Sequence, residues 1–202
     1  MKDSREVIII DSGGANLASL EFALERLGAR ARVSSDAAEI AEAARLILPG
    51  VGSARDAMQR LESACLVEPL RGFRRPVLGI CLGMQLLFQL SAEGATPCLG
   101  VLGGTIGRLQ ARPGLPVPHM GWNQLALTAH DPLLDGIAAG DYVYFVHSYA
   151  APPSEVTLAT AHYGADVSAA VRSGNFWGTQ FHPERSGSTG ARILGNFLRI
   201  ES

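Results

Sequence analysis

PVLGICLGMQLLFQL, residues 76–90, holds the change of period from which the fold is read. Pro76–Cys81 is a short continuous apolar run, as expected for a strand buried on both faces. Leu82–Leu90 reads as a helix, and the two meet in the tight segment Gly79-Ile-Cys81-Leu-Gly83. The same alternation runs upstream. Val7–Ile10 is an apolar strand ending at Asp11, and Asn16–Leu27 is a helix that Asn16 caps and Gly28 stops. Ala31–Ser34 is a strand, and Asp36-Ala-Ala-Glu39 reads as a capping box opening the next helix. Leu46–Leu48 is a strand ended by Pro49, followed by helices over Ser53–Ser63 and Val67–Phe73. Strand–helix alternation predicts an α/β fold: a doubly wound, mostly parallel central sheet with helices on both faces.

Downstream of Leu99 the pattern changes. Thr105–Leu109, Asn123–Leu127, Tyr142–Tyr149, Val156–His162, Ser168–Val171 and Phe176–Gln180 are short, β-like and separated by turns. They predict an antiparallel portion in the second half, closed by a helix over Thr189–Arg199. Arg112–Pro118, with three prolines, reads as a loop and not a boundary. The expectation is one domain over residues 1–202, a length that suits a single core.

Composition narrows the function. Charged residues are 18% and hydrophobic residues 47%, which excludes a disordered chain. The net charge of −2 carries no basic footprint for nucleic acid, and no apolar run approaches the ~18 residues of a membrane span. MKDSRE runs straight into the first strand and reads as a strand entry, not a signal peptide. The three cysteines, Cys65, Cys81 and Cys98, suit a reducing cytoplasm.

Cys81 sits where strand passes to helix between two glycines, in the manner of a nucleophile elbow. There a thiol stands at the sheet edge, and the helix N-terminus favours a thiolate and offers N–H groups to an oxyanion. A free cysteine is otherwise most often a small buried hydrophobe, and Cys65 and Cys98 are read that way. A cysteine nucleophile needs a base, and the base an orienter. Of the five histidines, His182 in His182-Pro183-Glu184 has a carboxylate two residues on, where an extended chain points both side chains the same way. His130 and His162 show no acidic partner at useful spacing. Gly50-Val51-Gly52 ends another strand, and its N–H groups are candidate oxyanion donors or simply a tight turn.

Three segments, LPGVG (48–52), GICLGMQLL (79–87) and GTQFHPERSG (178–187), resemble the signature segments of class I glutamine amidotransferases. DSGGANLASL (11–20), PHMGWN (118–123) and YFVHSY (144–149) are similar to segments of one branch, the glutaminase subunits of imidazole glycerol phosphate synthases. Many members read Asp-Tyr-Gly where this chain has Asp11-Ser-Gly13, and Lys where it has Arg185. The resemblance implies that Cys81 attacks the side-chain amide of glutamine, with His182 as acid and base and Glu184 as its orienter. It implies oxyanion donors from Leu82 and from Gly50, Val51 or Gly52. Gln85, Glu93, Ser148 and Tyr149 would hold the amino-acid end of glutamine. Asn16, Trp122, Tyr144 and Arg185 would meet a (βα)₈-barrel cyclase that consumes the ammonia in a heterodimer. That chemistry calls for no cofactor and no metal. Two other readings stay open: a glutaminase subunit of another synthase, of the anthranilate or aminodeoxychorismate type, and a glutaminase-like module kept for assembly.

Overall fold

The computed structural model describes residues 6–11 and 17–201. In the first half, β1 (Glu6–Ile10), β2 (Arg30–Ser34), β3 (Leu46–Gly50) and β4 (Val77–Cys81) alternate with five helices. These are α1 (Leu17–Arg26), α2 (Ala37–Glu42), α3 (Ala54–Ser63), α4 (Val67–Arg71) and α5 (Leu82–Leu86). In the second half come β5 (His119–Gln124), β6 (Tyr142–His147), β7 (Thr157–His162), β8 (Asp166–Ser173), β9 (Phe176–Thr179) and α6 (Gly187–Arg199). The main sheet runs β2-β1-β3-β4-β9-β8-β7, with Ala126–Leu127 pairing on the β7 edge. It is parallel from β2 through β9 and antiparallel beyond.

The apolar strands bury both faces because alternate residues feed two cores. Val7, Ile9, Ile47, Leu78 and Ile80 pack with Leu20 and Leu24 of α1 and Ile193 and Phe197 of α6. Ile8, Ile10, Leu46, Leu48 and Val77 pack with Ile40 of α2, Met58 and Leu61 of α3 and Leu70 of α4. A separate antiparallel ribbon of β5 and β6 lies beside the sheet.

Several expected boundaries move. β3 runs through Pro49 to Gly50, because its ladder with β1 ends at Ile47 and the proline's missing N–H deprives no partner there. α5 stops at Leu86, not Leu90. The carbonyls of Leu86, Leu87 and Phe88 are taken instead by the N–H groups of Leu99 (2.8 Å), Leu102 (2.9 Å) and Gly100 (2.9 Å). Half of the capping box forms: Asp36 caps Ala38 and Glu39, but Glu39 turns to Ser34 and Arg32 while Ser34 Oγ accepts the Asp36 N–H. The expected strand Asn123–Leu127 is two strands. Residues 119–124 pair with β6, and 126–127 with β7. The expected strand Tyr142–Tyr149 likewise breaks after His147, and Tyr149–Ala150 pairs with Thr105–Arg108. Gly28, with φ +75°, ends α1 as expected, whereas the expected cap Asn16 lies outside the described residues.

Candidate active site

Cys81 is the last residue of β4 and the residue before α5, with φ +54° and ψ −111°. A non-glycine residue in that region is strained, and such strain is retained where it aims a side chain. The flanking glycines make the crossing possible. A Cβ on Gly83 would lie 1.7 Å from the Leu48 carbonyl oxygen, and one on Gly79 would lie 2.7 Å from the Gly83 carbonyl oxygen. Helix and strands therefore touch backbone to backbone at the elbow. The thiol, 6% exposed, faces a cleft of about 440 Å³.

His182 follows β9 and lies against the same cleft. Its Nδ1 is 2.8 Å from Glu184 Oε1, and both side chains are more than nine-tenths buried. The pairing is made by a 3₁₀ turn over Pro183–Arg185 rather than by the expected extended chain. His182 N–H donates to the Tyr144 carbonyl (2.9 Å). Ser186 Oγ ties the two strands again, donating to the His182 carbonyl (2.6 Å) and accepting from Tyr144 N–H (2.9 Å). Burial works against protonation of His182, yet the Cys81 thiol and the Glu184 carboxylate outweigh it and push the imidazole up to about 10. Its Nε2 is buried with no hydrogen-bond partner. A cationic ring favours a thiolate on the neighbouring sulfur, and its spare N–H is a proton it can then give up.

The remaining expected site residues surround this pair. Gly50, Val51, Gly52, Leu82, Gln85, Glu93, Ser148 and Tyr149 all line the cleft. The Val51 and Gly52 N–H groups find no acceptor among the described residues. Leu82 N–H sits in the first turn of α5, where helix N–H groups lack intrahelical acceptors. Gln85 spends its amide N–H groups on the Tyr149 carbonyl (2.8 Å) and Gln180 Oε1 (3.0 Å), leaving its oxygen as an acceptor. Glu93 is already engaged through one oxygen, which accepts from Ala54 N–H (2.8 Å) at the start of α3. Arg185, at the edge of the cleft, lies 4.5 Å over the Tyr144 ring, and Trp122 meets Tyr144 edge-on at 6.0 Å. Trp122 and Met120 are exposed by 55% and 63%, so Trp122 is no core residue.

Sequence reasoning missed Gln180 and the roles of His119 and His147. Gln180, fully buried, donates through Nε2 to Cys81 Sγ at 3.8 Å. It lies two residues before His182, and that spacing was the available signal. His119 and His147 are buried and bonded to each other at 3.0 Å. Burial lowers both, each to about 4. Two smaller expectations fail. Cys65 is exposed, at a positive φ of 56°, rather than buried. His162 does have a carboxylate: Asp166, 2.7 Å away across a hairpin that brings the two residues opposite one another. Cys98 is buried as expected, and burial pushes its thiol up to about 11.

The description "glutamine amidotransferase class-I" matches residues 8–200. A protein of Shewanella oneidensis named imidazole glycerol phosphate synthase subunit HisH is 50% identical, over 98% of this chain and 98% of its own. Proteins of the same name from Xylella fastidiosa (52%, 98% of each) and Xanthomonas euvesicatoria (53%, 96% of this chain, 98% of that one) are similar. Among solved structures, a glutamine amidotransferase superposes with a TM-score of 0.74 at 21% identity, over 95% of this chain and 96% of that one. PurLQS from Thermotoga maritima superposes at 0.66 and 21%, over 96% and 97%. These last two show a shared fold.

Proposed function

The chain belongs to the class-I glutamine amidotransferase family, and from relatives half identical over nearly their full length we infer that it is the glutamine-hydrolysing subunit of an imidazole glycerol phosphate synthase. One observation carries the chemistry: a strained Cys81 at the head of α5 shares a cleft with a buried His182–Glu184 pair.

We propose that Cys81, its proton passed to His182, attacks the carboxamide carbon of glutamine as a thiolate. The tetrahedral oxyanion is held by Leu82 N–H and by an N–H of the Gly50–Gly52 loop. Its collapse breaks the C–N bond, and His182 gives its proton to the departing nitrogen, so ammonia leaves and a γ-glutamyl thioester remains. His182, now neutral, takes a proton from water as the hydroxide oxygen attacks the thioester. Glutamate departs with the sulfur leaving as thiolate, and the pair of thiolate and protonated His182 is restored. Glu184 keeps the ring oriented throughout. The free oxygens of Gln85 and Glu93 suit the ammonium group of glutamine, with Ser148 and Tyr149 closing the wall.

Ammonia released into water would protonate, so the product has to pass directly to a second subunit. We propose a (βα)₈-barrel cyclase as that partner, in a heterodimer. Trp122, Tyr144 and Arg185 beside the cleft form an aromatic and cationic surface, and Met120 and Tyr142 extend it as exposed apolar area. Interface centres are depleted in charge and rich in Trp, Tyr and Arg, which also accounts for the low charge of this chain. Residues 1–202 then act as one glutaminase domain, completed only by its partner. Among the described residues no helix is long and apolar enough to cross a membrane. Three unpaired cysteines suit a cytoplasmic location.

The deciding experiment assays glutamine hydrolysis by the chain alone, with the cyclase, and with cyclase plus its ribotide ligand. Hydrolysis that rises on adding both, and is abolished by Cys81→Ala while ammonia-dependent synthesis survives, supports the proposal. A chain that ignores the cyclase and binds a chorismate-using enzyme would instead favour the other synthase type.

A further inference from the structure

His119 and His147 play no part in the chemistry above, yet both are buried and polar. Buried imidazoles are kept when their hydrogen bonds matter. The donors and acceptors around them allow one arrangement. The Tyr149 carbonyl, 2.9 Å from His147 Nδ1, can only accept, so His147 carries its proton on Nδ1. Burial holds that ring neutral, its pKa down near 4, so Nε2 is an acceptor. His119 Nδ1, 3.0 Å away, must then donate to it. His119 is also neutral, and its Nε2 accepts from Asn123 Nδ2 at 3.3 Å. The Asn123 amide is itself oriented, because its nitrogen donates to the His162 carbonyl and its oxygen accepts from Gln124 N–H. The His119 ring is clamped between Tyr163 and Phe145, with centroids 4.0 and 4.7 Å away.

The chain of donors ends at the active site. The Tyr149 carbonyl accepts from His147 and, at 2.8 Å, from Gln85. Gln85 donates its other amide hydrogen to Gln180 Oε1, and Gln180 Nε2 points at Cys81 Sγ. Donation runs from Asn123 through both imidazoles to the Tyr149 carbonyl, and from Gln85 outward in two directions, to that same carbonyl and through Gln180 to the sulfur. Resting on the glutaminase reading above, we propose that His147, locked in one tautomer by His119, is a positioning residue for glutamine hydrolysis. It holds the Tyr149 carbonyl that anchors Gln85, and thereby sets the pocket wall and the thiol. His119 lies on β5 between the exposed faces of its neighbours, so the strand that offers Met120 and Trp122 outward also carries this lock inward.

The test uses the complex with the cyclase and two replacements of opposite character. His147→Asn retains an N–H donor near the Nδ1 position, whereas His147→Phe retains the aromatic volume and loses the donor. Positioning predicts that the Phe variant raises KM for glutamine about tenfold or more, with ammonia-dependent synthesis unchanged, and that the Asn variant recovers most of the loss. A packing role predicts the reverse order, and that order, or a Phe variant equal to wild type, overturns the proposal. His119→Asn and His119→Phe repeat the comparison one step further from the site. Imidazole ¹⁵N NMR of the wild-type protein needs no variant to fold: both rings must be Nδ1–H at neutral pH, and an Nε2–H ring at either position refutes the lock. A wild-type complex that fails to hydrolyse glutamine would refute the functional reading instead, and the NMR result would still decide the tautomers.

Discussion

Gly83→Ala should disable glutamine hydrolysis through geometry alone. The added Cβ would lie 1.7 Å from the Leu48 carbonyl oxygen, with the Leu48 carbonyl carbon at 2.7 Å and the Pro49 carbonyl carbon at 3.3 Å. An ordinary carbon–oxygen contact is about 3.3 Å or more, so β3 and α5 must separate by about 1.5 Å. No flexible side chain can absorb that shift, because the obstructing atoms are backbone. Cys81, Leu82 and Gly50 all sit within that contact, so the thiol moves relative to both sides of the oxyanion site. A misplacement of about 1 Å costs about a hundredfold in rate. Overpacking of a tight contact costs about 1–3 kcal/mol, or a fall of about 2–12 °C in Tm for a chain of this size. The assay is glutamine-dependent against ammonia-dependent synthesis in the complex, beside a thermal melt of the isolated chain. The expected result is a loss of about a hundredfold or more in the first and little change in the second. Gly79→Ala, whose closest approach is 2.7 Å, should do less harm. Gly107→Ala, with nothing within 4 Å, should do none. A folded Gly83→Ala protein with near-normal glutaminase activity would refute the argument that this contact aims the nucleophile.

Glu184→Gln keeps the shape but removes the charge that favours the His182 cation, so kcat for glutamine should fall by about 10²–10⁴ while ammonia-dependent synthesis continues. Stability should vary with pH at both ends. His182 is held up to about 10, so its contribution is complete below the unfolded imidazole value of 6.5 and is lost as pH rises toward 10. His119 and His147 are held down to about 4, so acid favours the unfolded chain, and stability falls as pH drops from 6.5 toward 4. Urea midpoints between pH 4.5 and 9.5 measure both limbs, and a His119→Asn/His147→Asn double variant should flatten the acid limb only. Trp122→Ala removes a side chain that is 55% exposed, so it should leave Tm unchanged and weaken cyclase binding by about 2 kcal/mol, some thirtyfold in Kd by calorimetry.

The parallel half of the fold was readable because β1, β3 and β4 are short apolar runs and several helices begin or end on a local signal. Asp36, Ser53 and Gly28 do at their helix ends what their residue types dictate. The elbow was readable because two glycines flanking a cysteine at a period change have few other uses. Boundaries failed where a distant segment decided them. Residues 99–102 end α5 by taking the carbonyls of residues 86–88, and different partner strands split 119–127 in two. No local pattern contains those partners.

Residue type and spacing alone therefore determined the alternating architecture and singled out the cysteine proposed as nucleophile and the histidine with its carboxylate. These depend on neighbours a few positions away, and short-range geometry is written in the chain. Tertiary structure alone decided which polar groups were buried together. Gln85 and Gln180, 95 residues apart, meet beside Cys81, and His119 and His147, 28 apart, share one hydrogen bond. An amide or imidazole in a sequence is ordinary until folding takes it out of water. Only then does each donor have to find one acceptor, and that requirement orders the pocket.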